Sequence, residues 1–496
     1  MSARGELGTL EASGLIALAQ IEPELEYLFR HALVQDAAYS SLLKQDRRVL
    51  HRRAAETLLA LYPDRRRELA AVIAMHYEQA GDAPNAAAYL VEAGEHALER
   101  FANREAISFF ERAVALIGTD GVSPDLRLRA AIGMAKVGWS ITATDKYIDG
   151  LDRAIASADD NTERRLLADA YFWVAFLRRW RGEQPATSEA LRAALANAER
   201  IGESLGDPVA HAIPKAFMGI GRVFSGDVRG GAADLSEALR VMEGKADRLS
   251  IAILMGYLTM AYARLGDFAS AERTLANTER IASEGDEISK LDASIARAAI
   301  ELERGNFDAA LPGMAACAIR SEELGATACA VASNVLLGSG HLTIDDVTGA
   351  RAPVYRGLEL SLVTNMPPMR TLATAMRGSI RARLGELMSA ATDWDEALAS
   401  ARAMGDRYGE AMTLWGRGRT HFYGSSPDPA LALKDLDASI ALVQQMETRP
   451  ALARLLRDRA AVLRALGRDA EAAEADRRSR EIASEIGLRD FAPETV

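Results

Sequence analysis

The residues of this chain best able to do chemistry are seven histidines, two cysteines and a few adjacent carboxylates. A zinc site needs imidazole or thiolate ligands brought close together, most simply at His-Glu-x-x-His spacing on one helix face. His31, His51, His76, His96, His211, His341 and His421 contain no such pair. Cys317 and Cys329 form no Cys-x-x-Cys motif and have no base near them in sequence, so both read as small buried residues of a reducing compartment. No Gly-x-Ser-x-Gly nucleophile elbow is read in the sequence. The Gly-x-x-x-x-Gly-Lys-Ser/Thr loop, whose amides and lysine cradle nucleotide phosphates, is absent. Asp159 with Asp160, and Asp345 with Asp346, fall in turns where solvated carboxylates are expected. The sequence assigns no catalytic, cofactor-binding or metal-binding residue, and the expectation is a protein that is not an enzyme.

What positions the remaining side chains is helix. Among 496 residues the apolar share is 49%, but aromatics are only 6% and the runs of Val, Ile and Thr that build strands are missing. A net charge of −11 disfavours nucleic acid as a partner, since counterion release needs a basic face. No stretch approaches the roughly twenty apolar residues of a membrane span, and Met1–Leu15 lacks the plan of a signal peptide, so a cytoplasmic location is expected.

Internal repetition carries the strongest signal. Gly81, Gly226, Gly266, Gly305, Gly385 and Gly467 each follow one apolar-periodic segment and precede another. Five residues beyond them stand Ala86, Gly231, Ala271, Ala310, Ala390 and Ala472. Twelve residues beyond stand Ala93, Ala238, Thr278, Cys317, Ala397 and Ser479. All twelve are small, and a separation of seven places each pair on one helix face, where small side chains permit close approach. The glycine would take the positive φ that ends one helix and turns the chain into the next.

This pattern resembles the tetratricopeptide repeat (TPR), including an aromatic two residues after the turn at Phe268 and Phe307. The common unit is about 34 residues, whereas Gly226, Gly266 and Gly305 are 40 and 39 apart, and Gly182 and Gly424 extend the spacing. The resemblance implies an all-α fold, a right-handed superhelical array of antiparallel helix pairs with a period of about 40. Ile117–Leu128, with Gly121 and Pro124, should separate a first helical group at 62–120 from the main array at 121–490. Gly206–Lys215 reads as a widened connection. His341–Thr371, with three prolines and no small-residue signature, reads as a degenerate or loop-bearing unit. The end of the chain, Gly487–Val496 and in particular 491–496, should fray.

Leu10–Leu61 resembles the junction of a bacterial family of signal-transducing ATPases, often linked to class III adenylate or guanylate cyclases, in which a winged-helix-like unit passes into TPR-type repeats. The matching residues are "LEASGLIALAQIEPELEYLFRHALVQDAAYSSLL", "RRVLHRRAAETL" and "HYEQAGDAPNAAAYLVEAGEHAL". The resemblance implies that 1–61 is a remnant of such a junction, with Phe29, Leu33, Ala37 and Leu43 in its core, His31 as packed structure, and Lys44–Arg53 as a solvated basic face. The chain then reads as the sensor and scaffold half of a switch whose nucleotide-binding module lies elsewhere. Its expected partner is a protein or peptide in a concave groove, with a nucleotide-binding signalling module as a further one; no cofactor and no membrane are expected. Tyr171, Trp173, Arg178, Arg222 and Tyr262, on the first helices of their pairs, are the candidate partner-binding residues. The alternative is a regulatory fragment of an ATPase or cyclase system sensing a small molecule or a protein.

Overall fold

The computed structural model describes residues 3–20, 26–100, 102–118, 122–139, 144–183, 188–244, 248–283, 287–424 and 426–491. Its contacts divide the chain into two compact units, Met1–Ala97 with Ser108–Val122, and Leu98–Ile107 with Ser123–Val496.

The first unit opens with α1 (Ala3–Ala12), an antiparallel hairpin of β1 (Ile16–Gln20) and β2 (Glu26–Phe29), α2 (Ala32–Ser41) and α3 (Lys44–Leu61). This hairpin is the sheet found among the described residues, a small departure from the all-helical expectation. Next come α4 (Arg66–Ala80), α5 (Ala83–Glu99) as far as Ala97, and α6 (Asn103–Ile117) from Ser108 onward. Ala55, Ile73, Tyr77 and Ala86 form the core there, with the Tyr77 and Tyr89 rings stacked at 5.6 Å. The expected core of the junction is not observed. Leu33 is 81% exposed, Leu43 72% and Phe29 45%, and Ala37 is exposed too. Periodicity marks an apolar face but not what covers it. His31 is likewise exposed, at the N-cap of α2 without a capping hydrogen bond.

The first unit also holds a contact that sequence spacing hid. His51 and His76 place their Nδ1 atoms 2.9 Å apart, and the Tyr39 hydroxyl meets His51 Nε2 at 3.0 Å. One ring must stay neutral to accept the shared proton. Burial and the neighbouring His51 hold His76 below the usual histidine value. A group whose folded value is depressed favours the neutral form in the fold, so its contribution is present above about pH 6.5 and is lost as pH falls through the folded value. Amide-exchange protection of α3 and α4 should therefore fall on acidification below that point, and His76→Gln should flatten the dependence. An unchanged profile in the variant would remove His76 as the cause.

The second unit begins with α7 (Pro124–Gly138), capped by Ser123, and α8 (Asp145–Ala156). It continues as eight pairs. These are α9 (Arg164–Trp180) with α10 (Glu189–Leu205), α11 (Pro208–Ser225) with α12 (Val228–Met242), and α13 (Arg248–Leu265) with α14 (Phe268–Ser283). Then come α15 (Glu287–Arg304) with α16 (Phe307–Leu324), α17 (Thr327–Thr343) with α18 (Val347–Val363), and α19 (Pro367–Arg383) with α20 (Leu387–Met404). The last are α21 (Arg407–Tyr423) with α22 (Pro429–Gln445), and α23 (Arg449–Ala465) with α24 (Asp469–Ile486). Successive first helices start 39 to 44 residues apart, the period read from the sequence.

The turn chemistry explains the regularity. At Gly266, with φ of 78°, the Gly266 and Asp267 amides reach back to the Ala263 and Tyr262 carbonyls, both at 3.0 Å. Asp267 then accepts the Ser270 amide at 3.0 Å and starts the next helix. A left-handed glycine satisfies the orphan carbonyls of one helix, and the aspartate after it caps the orphan amides of the next. All twelve small signature residues are buried. At the last pair the Ser479 hydroxyl donates to the Ala453 carbonyl at 2.6 Å, so the two helices nearly touch by backbone.

Three sequence expectations need correction. Gly206–Lys215 is no widened connection: Gly206 is left-handed, Asp207 caps, and α11 starts at Pro208 and runs through Pro214. His341–Thr371 forms regular helices, because Asp345 takes the left-handed φ of 65° in place of glycine, and Ala350 and Gly357 are buried at the signature offsets. Asp346, a solvent-accessible carboxylate as expected, also caps α18 by accepting the Gly349 amide at 2.8 Å. The end of the chain is anchored as far as Asp490, with Leu488 buried and Asp490 bonded to Arg454 at 2.8 Å. Residues 492–496 of the expected frayed tail lie outside the described residues.

Candidate functional site

Within the second unit the array turns back on itself. Helices ten apart in order meet, α11 with α21 and α13 with α23, so one superhelical turn holds about five pairs. Arg229 reaches Glu447 at 2.6 Å, Tyr408 donates to Glu303 at 3.2 Å, and Arg454 donates to the Glu303 carbonyl at 2.9 Å. The first helices of the pairs line the interior. On α13 the lining residues include Ile253, Gly256, Met260 and Arg264, at the three- and four-residue steps of one helix face. Corresponding faces of α15, α17, α19, α21 and α23 complete a cavity of about 410 Å³. Small residues keep it hollow: a Cβ built on Gly256 would meet nothing within 4 Å.

The wall is mainly apolar, and most of its charges are paired. Arg383 bonds Asp345 at 2.6 Å, Arg419 donates to the Leu342 and Thr343 carbonyls at 3.0 and 3.1 Å, and Arg454 holds Asp490. Arg264 differs. It is 9% exposed, its guanidinium lies 3.7 Å from the centroid of the Tyr408 ring, and neither Nε nor Nη1 has a hydrogen-bond partner. Asp406 caps α21 through the Gly409 amide at 2.9 Å, and burial pushes its carboxyl up despite the pull of Arg264 and Arg179. Burial lowers Arg179 and raises the Tyr257 and Tyr408 phenols. Trp180 Nε1 and Thr259 Oγ1 are further wall atoms that are buried without a hydrogen-bond partner, whereas Arg419 Nε faces Asp458 Oδ2 at 3.7 Å. Buried polar atoms are normally satisfied, so those that line the cavity mark a place where partners are missing.

The candidate residues read from the sequence lie elsewhere. Trp173 is 2% exposed in the core around α7–α9, with Tyr171 packed against that core. Tyr262 packs half-buried between two core clusters. Arg178 pairs with Asp152 and Glu183, and Arg222 with Asp227 and Asp234. None of the five lines the cavity. One motif was passed over in the sequence: Gly202 to Gly206 has Gly-x-Ser-x-Gly spacing, but Ser204 sits in the last turn of α10, donating to the Ile201 carbonyl at 2.7 Å and accepting from Arg164 at 2.8 Å. A helix end without a strand before it is no nucleophile elbow. Cys317 and Cys329 are buried, as expected, with the Cys317 thiol pushed up by burial and Cys329 Sγ 3.1 Å from Asp292. Among the described residues there is no group of three metal-ligating side chains and no helix long and apolar enough to cross a membrane.

Comparison with known proteins agrees with this architecture. No family model matches the chain. It superposes on the crystal structure of a Rap protein complexed with Competence and Sporulation Factor with a TM-score of 0.51, at 13% identity, over 81% of this chain and 98% of that one. The fold is TPR-like. The APC/C hetero-tetramer Cut9–Hcn1 gives a TM-score of 0.51 at 12% identity, over 88% of this chain and 85% of that one. In sequence, the chain is 32% identical over 178 residues to an uncharacterized protein of Rhizobium meliloti (strain 1021). That match is 35% of this chain, which spans 17% of the length of that relative.

Proposed function

We propose that this chain is a non-catalytic sensor scaffold. A protein or peptide partner docks on the helical repeats, and occupancy of the interior cavity sets whether the superhelical turns stay stacked and present that docking face. The observation carrying this reading is the partly open cavity with unpartnered buried groups on its wall, where the two turns meet. The similar Rap protein and Cut9 structures are both complexes, which supports an interaction role. The test uses peptides selected by display against the full chain, measured on wild type and on Gly256→Trp, which fills the cavity from a helix position with open space. Selected peptides should change affinity at least tenfold in the variant. Peptides that bind both proteins equally, or a selection that yields none, would sink the reading.

A second reading, the regulatory region of a larger ATPase or cyclase system, is favoured by the exposed Phe29, Leu33 and Leu43 of the first unit, an apolar face suited to a covering module. The size of the native protein carrying the repeats, found by immunoblot, separates the two. A band near 53.4 kDa favours the freestanding scaffold, and one about twice that size the larger system.

A further inference from the structure

We propose that the cavity binds a small apolar monocarboxylate whose carboxylate is seated on Arg264. This rests on the reading of the cavity as the sensing site and names its ligand. A buried guanidinium with two unpartnered donors calls for acceptors; Nε and Nη1 lie on opposite edges of the group, so a carboxylate seats on one of them with a charge-assisted hydrogen bond. The Tyr408 ring covers one face of the Arg264 guanidinium and leaves its in-plane donors to a ligand.

The other unpartnered wall atoms agree on sign. Trp180 Nε1 can only donate, and the Thr259 hydroxyl can do either. A carboxylate brings acceptors alone, which is what the unpartnered wall atoms call for. One cation matches one negative charge. Glu303, Asp292 and Asp345 line the same cavity and would repel a dianion such as a phosphate monoester. The rest of the ligand would meet Ile253, Met260, Ile295, Leu336, Met369 and Met412, so it must be apolar. A volume of about 410 Å³ suits a compact molecule.

Calorimetric titration of the full chain with decanoate and with decan-1-ol tests this. Decanoate should bind at least tenfold more tightly than the alcohol, and Arg264→Gln should remove that preference while leaving the alcohol unaffected. Arg264→Lys should keep part of it, and Gly256→Trp should abolish both bindings. Equal binding of acid and alcohol to wild type, or an acid preference that survives Arg264→Gln, would overturn the assignment. Absence of decanoate binding while selected peptides still respond to Gly256→Trp would also overturn it, and would leave the sensor scaffold standing.

Discussion

Arg454→Ala is expected to destabilise the second unit by about 3–5 kcal/mol, the range for breaking a buried ion pair from one side. Arg454 is 4% exposed, bonds Asp490 through Nε at 2.8 Å, and donates from Nη2 to the Glu303 carbonyl at 2.9 Å. Its removal leaves the Asp490 carboxylate with only the longer contact to Arg457 at 3.8 Å and strands a carbonyl at the end of α15. The loss should appear as a lower urea midpoint and as early protease cleavage after α15. Arg454→Met combined with Asp490→Leu should recover much of it, because no charge is then left stranded. A single variant within about 0.5 kcal/mol of wild type would show that the turns stack without this pair.

The second large effect is steric. A Cβ on Gly231 would lie 2.5 Å from the Gly219 carbonyl oxygen, 2.7 Å from Val223 Cγ2 and 2.9 Å from the Val223 amide. Backbone cannot swing aside as a flexible side chain can, so Gly231→Leu must part α11 from α12. A cost of about 3 kcal/mol, at the upper end for overpacking, is expected as a fall in the urea midpoint. Gly221 is the control, since a Cβ there meets nothing within 4 Å and φ is ordinary. Gly221→Ala should raise the stability by up to about 1 kcal/mol, and the urea midpoint with it. Equal shifts in the two variants would mean that the close approach is not what holds the pair.

The repeat was legible because its cause is local. A glycine at a left-handed turn, an aspartate cap after it and small residues seven apart are all set by a few neighbouring residues, as at Gly266, Asp267, Ala271 and Thr278. The unit around Asp345 escaped notice because aspartate there adopts the conformation that glycine usually supplies. Prolines misled for a similar reason: Pro208 and Pro367 begin helices, where the missing amide costs nothing. The cavity was not legible. Arg264, Tyr408 and Arg454 are neighbours only because the array closes after about five pairs, and no local pattern states where a superhelix meets itself. Gly256 was the available sign, a helix-interior glycine with no turn to make, yet it is one of 38 glycines in the chain.

Closure of the turn also bears on how such a chain folds and varies. In an open solenoid each repeat touches only its neighbours, so units can be added or removed with little penalty and folding can spread from any point. Here Arg229 and Glu447 meet across 218 residues. Deleting one helix pair between them would shift every partner in the next turn out of register. The number of repeats is locked by geometry, and the late stacking of the turns, slow because its contacts are so distant in sequence, should form the final and most reversible step of assembly.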